Sequence, residues 1–516
     1  MLRLLYFVFL CLATNTYAAK ILAIFPTPSV SHQVIFRPLT QELARRGHNV
    51  TVVTTDPIFS KTKSPENFTE IDVHDISYPI WIDKFKFKIE LGQKDSVIPQ
   101  METMARAFEE VMWLQIEHEQ VKRLIDNKEK FDILLLEAWP RQTLIYSHLF
   151  KAPVIQISSL GALFARDETV LGAPTHPFFY PMMVQQRLYN LTFWEKVKEL
   201  YIRMTFNRLW YANESEELDI FREKYGRDLT NYDELSKNVD MIFINTHQMW
   251  MGNQPLPPNV ISIWGIHKNI QKPLPNELQS YLDSSKNGVV YLSFGSNALS
   301  SALPPEKIQL FVRVFSRLNY DVLWKWETDE LPGKSNNIRI SKWLPQSDLL
   351  RHPKIKLFIT QGGLQSTDEA ITAGVPVIGV PMLGDQWFNV EKYKYFKIGL
   401  SVDMETVTEA ELENAIHTIL NDTSFRDNII RLRSLMNDQP ENALDRAVWW
   451  TEYVLRHGGA KHLWAAGANM SWTEYYEVEF ALKLASIVLV TSILVISAIY
   501  VMYLRFITVK IKLKLI

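Results

Sequence analysis

Cysteine is almost missing from these 516 residues: the only one is Cys11, inside an apolar N-terminal stretch that reads as a cleaved leader. A mature chain without thiols has no disulfide scaffold, no cysteine nucleophile and no cysteine-ligated metal, so its core alone must hold it together. Charge of one sign is lacking too. Fifty-seven acids against 55 Lys and Arg leave a net charge of −2 and no global electrostatic reason to bind nucleic acid. No Gly-x-Gly-x-x-Gly follows any predicted strand, which argues against a dinucleotide-dependent oxidoreductase. No Asp-x-Asp and no clustered ligand spacing marks a metal site, and no internal repeat or low-complexity tract is visible.

The termini carry what the composition does not. Met1-Leu2-Arg3, the apolar run Leu4 to Ala13 and the small residues Ala18-Ala19 read as a secretory signal peptide over residues 1–18. At the other end the uncharged stretch Leu484 to Leu504, within a span of 483–504, would cover about 31 Å as a helix, the thickness of a bilayer core. Glu474, Glu477 and Glu479 precede it, and Arg505, Lys510, Lys512 and Lys514 follow in the basic tail, 505–516. The basic flank is expected in the cytosol, leaving the bulk of the chain on the other side in a type I topology. Sequons stand at Asn49, Asn67, Asn190, Asn213, Asn421 and Asn469; Asn49, opening an expected buried strand, is expected to stay unmodified.

Between the ends, strands alternate with helices. Lys20–Phe25 and Val50–Thr54 read as buried strands, and Ile35, Phe36, Leu39 and Leu43 have helical spacing between them, with Pro38 expected in that helix's first turn. Further strands are expected at Ile133–Leu136 and Val154–Ile157. From Ala162 to Trp210 the text is irregular and aromatic, lining something apolar or packing between domains. The Pro-rich stretch 255–275 reads as a linker, after which strands at 289–294, 322–324, 357–360 and 377–380 alternate with helices again. The expectation is therefore an α/β chain of two Rossmann-like, doubly wound domains, 19–254 and 276–440, with a cleft between the carboxyl ends of their strands. Terminal helices and a membrane-proximal segment fill 441–482.

The richest segment runs Phe358-Ile359-Thr360-Gln361-Gly362-Gly363-Leu364-Gln365-Ser366, then Asp368-Glu369-Ala370, and on to Gly384-Asp385-Gln386. A strand ending in a Gly pair before a helix gathers bare backbone N–H groups and the positive helix terminus, an anion site suited to a diphosphate; an ordinary tight turn is the alternative. Taken whole, this segment resembles the signature of the UDP-glycosyltransferase family, and its wording resembles the insect branch. The resemblance implies a GT-B fold, with a UDP-sugar donor on the C-terminal domain and a small lipophilic acceptor on the N-terminal one. It implies that Trp343 stacks on uracil with Gln346 beside it, and that Ser296, Gln361, Gly363, Gln365 and Ser366 serve the phosphates. Glu369 would hold the ribose, and Asp385 with Gln386 the sugar hydroxyls. Gln361 and Gln365 depart from the His and Asn of many relatives.

The family's general base matches His32, in Ser31-His32-Gln33, at the expected end of the first strand; neutral imidazole suits proton abstraction near neutral pH. Glu137, ending another strand, stands where relatives usually have the Asp that orients the base. The implied reaction is a single inverting, metal-independent displacement with no cofactor, of glucose, with glucuronic acid as the alternative sugar. The tail Lys512-Leu513-Lys514-Leu515-Ile516 resembles an endoplasmic reticulum retrieval signal. The bilayer, met through one helix, is the other expected partner; homo-oligomerisation and the acceptor's identity stay open, as does a non-catalytic family member that binds lipophilic ligands.

Overall fold

The computed structural model describes residues 18–59, 64–86, 90–94, 97–161, 169–174, 176–268 and 271–514. The expected signal peptide with Cys11, the start of the irregular excursion at Ala162 and the end of the retrieval signal lie outside the described residues.

Two parallel sheets organise the chain. The first holds β1 (Lys20–Phe25), β2 (Asn49–Thr54), β3 (Phe68–Asp72), β4 (Ile133–Glu137), β5 (Val154–Ser158), β6 (Val239–Ile244) and β7 (Val260–Ser262), in the order β3-β2-β1-β4-β5-β6-β7. The second holds β8 (Val289–Ser293), β9 (Asp321–Lys325), β10 (Ile338–Ser341), β11 (Ile355–Thr360), β12 (Val377–Gly379) and β13 (Gly399–Ser401), in the order β10-β9-β8-β11-β12-β13. Their central strands are apolar without alternation: β4 and β8 are buried at every position. Helices cover both faces of a parallel sheet, so neither face can afford polar side chains. In each sheet the winding reverses once, between β1 and β4 in the first and between β8 and β11 in the second. Neighbouring strand ends part there and open a crevice.

The helices used below are α1 (Val30–Arg45), α2 (Val97–Glu117), α3 (Phe193–Trp210), α4 (Leu364–Ala373), α5 (Gln386–Tyr395), α6 (Ala443–His457) and α7 (Val478–Lys514). Ile35, Phe36, Leu39 and Leu43 of α1 are buried as their spacing predicts, and the Phe36 ring stacks on Phe25 at 4.0 Å. Pro38, however, lies inside α1 rather than in its first turn. The helix starts early because the Ser29 carbonyl accepts N–H groups from His32 and Gln33, at 3.0 and 3.2 Å, and burial of one face outweighs the single hydrogen bond lost at proline.

Two other expectations shift. The stretch expected as linker contains β7, which pairs with β6 because Val260 and Ile261 bury an apolar edge. The expected span 483–504 sits within one continuous helix that also takes in part of the basic tail; Val478–Ile511 is long and apolar enough to cross a membrane. Asn49 is exposed despite opening β2, whereas Asn67 donates its amide to the Ala44 and His48 carbonyls at 2.7 and 3.0 Å.

After the second domain the chain returns to the first. Ala447, Val448 and Val454 of α6 join the core beneath α1, and Asp240 at the start of the buried β6 accepts the Val154 and Ala460 N–H groups at 3.0 and 2.7 Å. The crossing from first to second domain is pinned by Trp264, whose indole donates to Asp368 of α4 at 2.7 Å while Lys268 lies over its ring at 3.2 Å. Burial pushes the Asp368 carboxyl up, opposed by that indole N–H and by the Lys268 charge. Replacing Trp264 by Phe removes the donor from a buried carboxyl and should cost about 1–3 kcal/mol. The folded-state pKa of Asp368 then rises further, so the loss should be larger above pH 7 than below it, as thermal unfolding at several pH values would show.

Candidate active site

Both crevices face each other across one cleft. On the first domain, His32 sits in the first turn of α1, not in a loop, and Glu137 closes β4, the neighbour of β1. His32 Nδ1 lies 2.9 Å from Glu137 Oε1 and 2.8 Å from Ser159 Oγ, just past β5. Glu137 has no solvent exposure, and its other oxygen accepts the Thr27 N–H at 3.2 Å. A buried carboxylate on Nδ1 fixes the tautomer and turns Nε2 towards the cleft that His32 lines. Gln33 holds the turn in place: its amide donates to the Phe25 and Thr27 carbonyls at 2.9 and 3.1 Å and accepts the Thr54 hydroxyl at 2.8 Å. Glu137 thus reaches His32 despite the extra methylene relative to Asp.

On the second domain, β11 ends at Thr360, Gln361-Gly362-Gly363 follow, and α4 begins at Leu364 with Gly363 as its N-cap. Gly362 has φ +87°, and a Cβ there would meet Val390 Cγ2 at 2.6 Å; at Gly295, φ +76°, a Cβ would lie 2.4 Å from Gln361 Nε2. Only glycine fits either turn, and the backbone at the start of α4 is left bare for an anion. Gln361 Oε1 is buried without a hydrogen-bond partner among the described residues, so this oxygen is uncommitted beside the turn. Ser296, beside Gly295, is half-buried.

Further along α4, Gln346 Nε2 donates to Ser366 Oγ at 3.0 Å and to Glu369 Oε2 at 2.7 Å, while its Oε1 accepts the Tyr291 hydroxyl at 2.9 Å. Burial pushes the Glu369 carboxyl up to about 7 against the pull of that Gln346 amide. Trp343 is 66% exposed. Asp385 opens α5, and its Oδ2 accepts from Asn389 Nδ2 at 2.8 Å. Burial lifts the Asp385 carboxyl to about 6, with Asn389 and the nearby His32 drawing it down. Gln386 Oε1 is committed to the loop before it, accepting the Met382 and Leu383 N–H groups at 2.8 and 3.0 Å.

The cleft between these walls encloses ≈ 680 Å³ with its mouth and is lined by His32, Gln361, Gly363, Gln365, Asp385 and Gln386 among others. Its first-domain side carries an apolar wall of Trp81, Met101, Phe108, Trp139 and Met183 beside the polar Thr27, Ser29, Ser31 and His32. Behind Met101, Phe108 and Trp139 lies a second chamber of ≈ 800 Å³ that shares those three residues and is roofed by Phe206, Leu209 and Trp210 of α3. Gln346, Ser366 and Glu369 form their own hydrogen-bonded group, and Trp343 is the most exposed of the expected site residues.

Several residues of the site escaped the sequence reading. Ser159 both touches His32 and offers its carbonyl to Gln365 Nε2 at 3.2 Å, so Gln365 bridges the domains. Asn389 joins Asp385 to the Gly362 carbonyl at 2.9 Å and accepts the Trp250 indole at 3.1 Å. Gln100 of α2 reaches the Met382 carbonyl at 3.5 Å and the Gly384 N–H at 3.4 Å. Only Ser159, in Ser158-Ser159 at a strand's end, carried a visible signal.

Comparison with known proteins agrees with this geometry. A solved UDP-glucose: anthocyanidin 3-O-glucosyltransferase in complex with UDP superposes with a TM-score of 0.57 at 17% identity, over 85% of this chain and 99% of that one, which places the fold among the GT-B enzymes. The ecdysteroid UDP-glucosyltransferase of Spodoptera littoralis nuclear polyhedrosis virus is 35% identical over 89% of this chain and 93% of its own. Human UDP-glucuronosyltransferase 2B17 is 29% identical over 91% and 90%. Residues 19–513 match the family described as UDP-glucoronosyl and UDP-glucosyl transferase. A histidine held by a buried carboxylate at one switch point, a glycine-lined turn at the other and nearly full-length likeness to such enzymes lead to one conclusion: this chain belongs to the UDP-glucuronosyl and UDP-glucosyl transferase family and is a hexosyltransferase that takes glucose or glucuronic acid from a UDP-sugar.

Proposed function

We propose that the protein transfers glucose from UDP-glucose, with inversion and without a metal ion, to a hydroxyl of a small lipophilic alcohol or phenol. The observation that carries this reading is the buried Glu137 carboxylate on His32 Nδ1, in a histidine that lines the same cleft as the apolar wall and Gly363 and keeps Nε2 for the acceptor. Nε2 takes the acceptor's proton, and the acceptor oxygen attacks the anomeric carbon. The bond from that carbon to the phosphate oxygen breaks, and UDP departs with the electron pair. Glu137 stabilises the imidazolium, and the bare N–H groups at the start of α4 receive the charge that builds on the leaving phosphate. Trp343 would stack on uracil, Gln346 would lie beside it, and Glu369 would accept the ribose hydroxyls. Ser296, Gln361, Gly363, Gln365 and Ser366 would surround the phosphates, and Asp385 with Gln386 would hold the sugar.

Glucose is favoured because no Lys or Arg appears among the described residues lining the cleft, so a hexuronate carboxylate would face Asp385 without a counter-charge. The acceptor class follows from the Trp, Phe and Met wall. The viral relative's name gives ecdysteroids as its acceptors, and a polycyclic alcohol of that kind suits such a wall. We further propose that α7 is a single-pass anchor in the endoplasmic reticulum with the two domains lumenal, supported by its basic C-terminal flank.

His32→Ala should lower kcat about 10²–10⁴-fold while leaving calorimetric UDP binding intact. Transfer should prefer UDP-glucose over UDP-glucuronic acid and persist in chelator; a chelator-dependent loss restored by metal would overturn the metal-free reading. A carboxyl accepts hydroxyl protons best when ionised, so the KM for the donor should rise as pH falls through about 7, where Glu369 protonates, and again through about 6, where Asp385 does. Glu369→Gln should abolish the upper of these two steps. In secretory cells the exposed Asn190, Asn213 and Asn421 should carry endoglycosidase-sensitive glycans and the engaged Asn67 none; an unglycosylated chain would refute the lumenal orientation.

A further inference from the structure

The chamber behind the cleft's apolar wall has no part in the transfer reaction. At ≈ 800 Å³ with its mouth it is as large as a small-molecule site. Met101, Ala105 and Glu109, spaced four residues apart on α2, face it from one side. Trp139 to Gln142, in the turn after Glu137, close a second side, and Phe206, Leu209 and Trp210 of α3 a third. The turn is clamped, since the Thr143 hydroxyl lies 2.9 Å from both the Glu137 and the Pro140 carbonyl. Arg141 is held as firmly: it donates to the Ala212 carbonyl and to buried Glu217, each at 2.8 Å, and lies over the Tyr232 ring at 5.1 Å. Met101, Phe108 and Trp139 divide the chamber from the cleft, with the Trp139 ring 6.3 Å from Phe108 and 5.7 Å from Trp210.

The charged side chains lining the chamber pair off with one exception. Glu102 accepts from Arg106 at 2.7 Å, and Glu217 from Arg141 at 2.8 Å. Half-buried Glu109 makes no hydrogen bond and no ion pair among the described residues. Burial and the Glu217 charge push its carboxyl up, against the pull of Arg141 and Arg106. The fold thus carries a negative charge that it does not itself compensate. Gln142 is unpaired too: it lines the chamber at 6% exposure, and its side-chain amide has no hydrogen-bond partner among the described residues. Buried amides are ordinarily satisfied, so an open one at a cavity marks a place for a ligand's polar atom. The aromatic side chains Phe108, Trp139, Phe206 and Trp210 complete the lining, and ring faces attract organic cations.

We propose that this chamber is a second ligand site, apart from the acceptor pocket, for a small lipophilic amine in its ammonium form. The ammonium would sit on Glu109 and give a further N–H to the Gln142 side chain, with the apolar body among the four aromatic side chains. An anion would face Glu109, and a neutral hydrocarbon would leave both Glu109 and Gln142 unpaired. The site goes beyond the transfer reaction, because such an amine needs no hydroxyl and lies behind the wall that the acceptor meets.

The test uses 1-naphthylmethylamine, a bicyclic amine that is protonated at neutral pH and has no hydroxyl. The full chain in phosphatidylcholine nanodiscs is titrated with it calorimetrically, and the heat from empty nanodiscs is subtracted. One saturable site is expected. Glu109→Gln, which keeps the volume and removes the charge, should weaken binding about tenfold or more. Ala105→Trp should abolish it by filling the chamber. Asp385→Asn, which removes the acid of the cleft, should bind the amine as the wild type does. Thermal unfolding shows that each variant is folded; Glu109→Gln should lose no stability, since it removes a charge that burial disfavours. Binding lost in Asp385→Asn but kept in Glu109→Gln would put the amine in the cleft and overturn the proposal. Equal binding by all four proteins, or none by the wild type, would overturn it as well. None of these readouts depends on which sugar or acceptor the enzyme uses.

Discussion

Parallel strands all deliver their loops to the same end of a sheet, and that constraint governs this protein twice. In each domain the order of strands reverses once, and at the reversal two neighbouring strands send their chains to opposite sides. The gap between β1 and β4 is filled by His32 and Glu137; the gap between β8 and β11 is filled by the glycine turns at 295 and 362. Facing these two gaps across one cleft brings a carboxylate-held imidazole and a bare helix terminus together without any local segment containing both. The helix dipole and the bare N–H groups at the start of α4 are fixed by the fold.

The two walls are not independent. Ser159 touches His32 with its hydroxyl and receives Gln365 of α4 with its carbonyl. Asn389 ties Asp385 to the Gly362 turn and, through Trp250, to the segment that leaves the first domain. Gln100, on the helix that walls the apolar pocket, reaches the loop preceding Asp385. Hydrogen bonds of this kind in a largely buried cleft are stronger than in water and penalise any member left unpaired. The juxtaposition of the two domains and the geometry of the site therefore depend on the same few side chains.

How far the site could be read in advance depended on how local its cause was. Gly362 and Gly363 were legible because a strand–glycine–helix passage has one main physical use, and the strands because a run such as Ile133-Leu134-Leu135-Leu136 is apolar without alternation. Pro38 was misplaced because helix entry was decided by a carbonyl at Ser29, which no propensity reveals. The linker was read too long because the edge strand β7 is only three residues, too short for periodicity. Ser159, Asn389 and Gln100 act across separations of more than a hundred residues in the chain, and their roles come from partners rather than from type.

By itself the sequence determined the alternation of strands and helices, the glycines that only a tight turn explains, the apolar C-terminal helix and the chemical character of the candidate site residues. These follow from neighbours along the chain: side-chain volume, backbone freedom and periodicity. The tertiary structure alone decided that Glu137 meets His32 on Nδ1 and that burial lifts Glu369 to about 7 and Asp385 to about 6. It also decided that α3 turns one apolar face inward and leaves the other bare. Burial and partnership are properties of the packed whole, because a side chain's dielectric surroundings and hydrogen-bond partners are set by residues that arrive from distant parts of the chain.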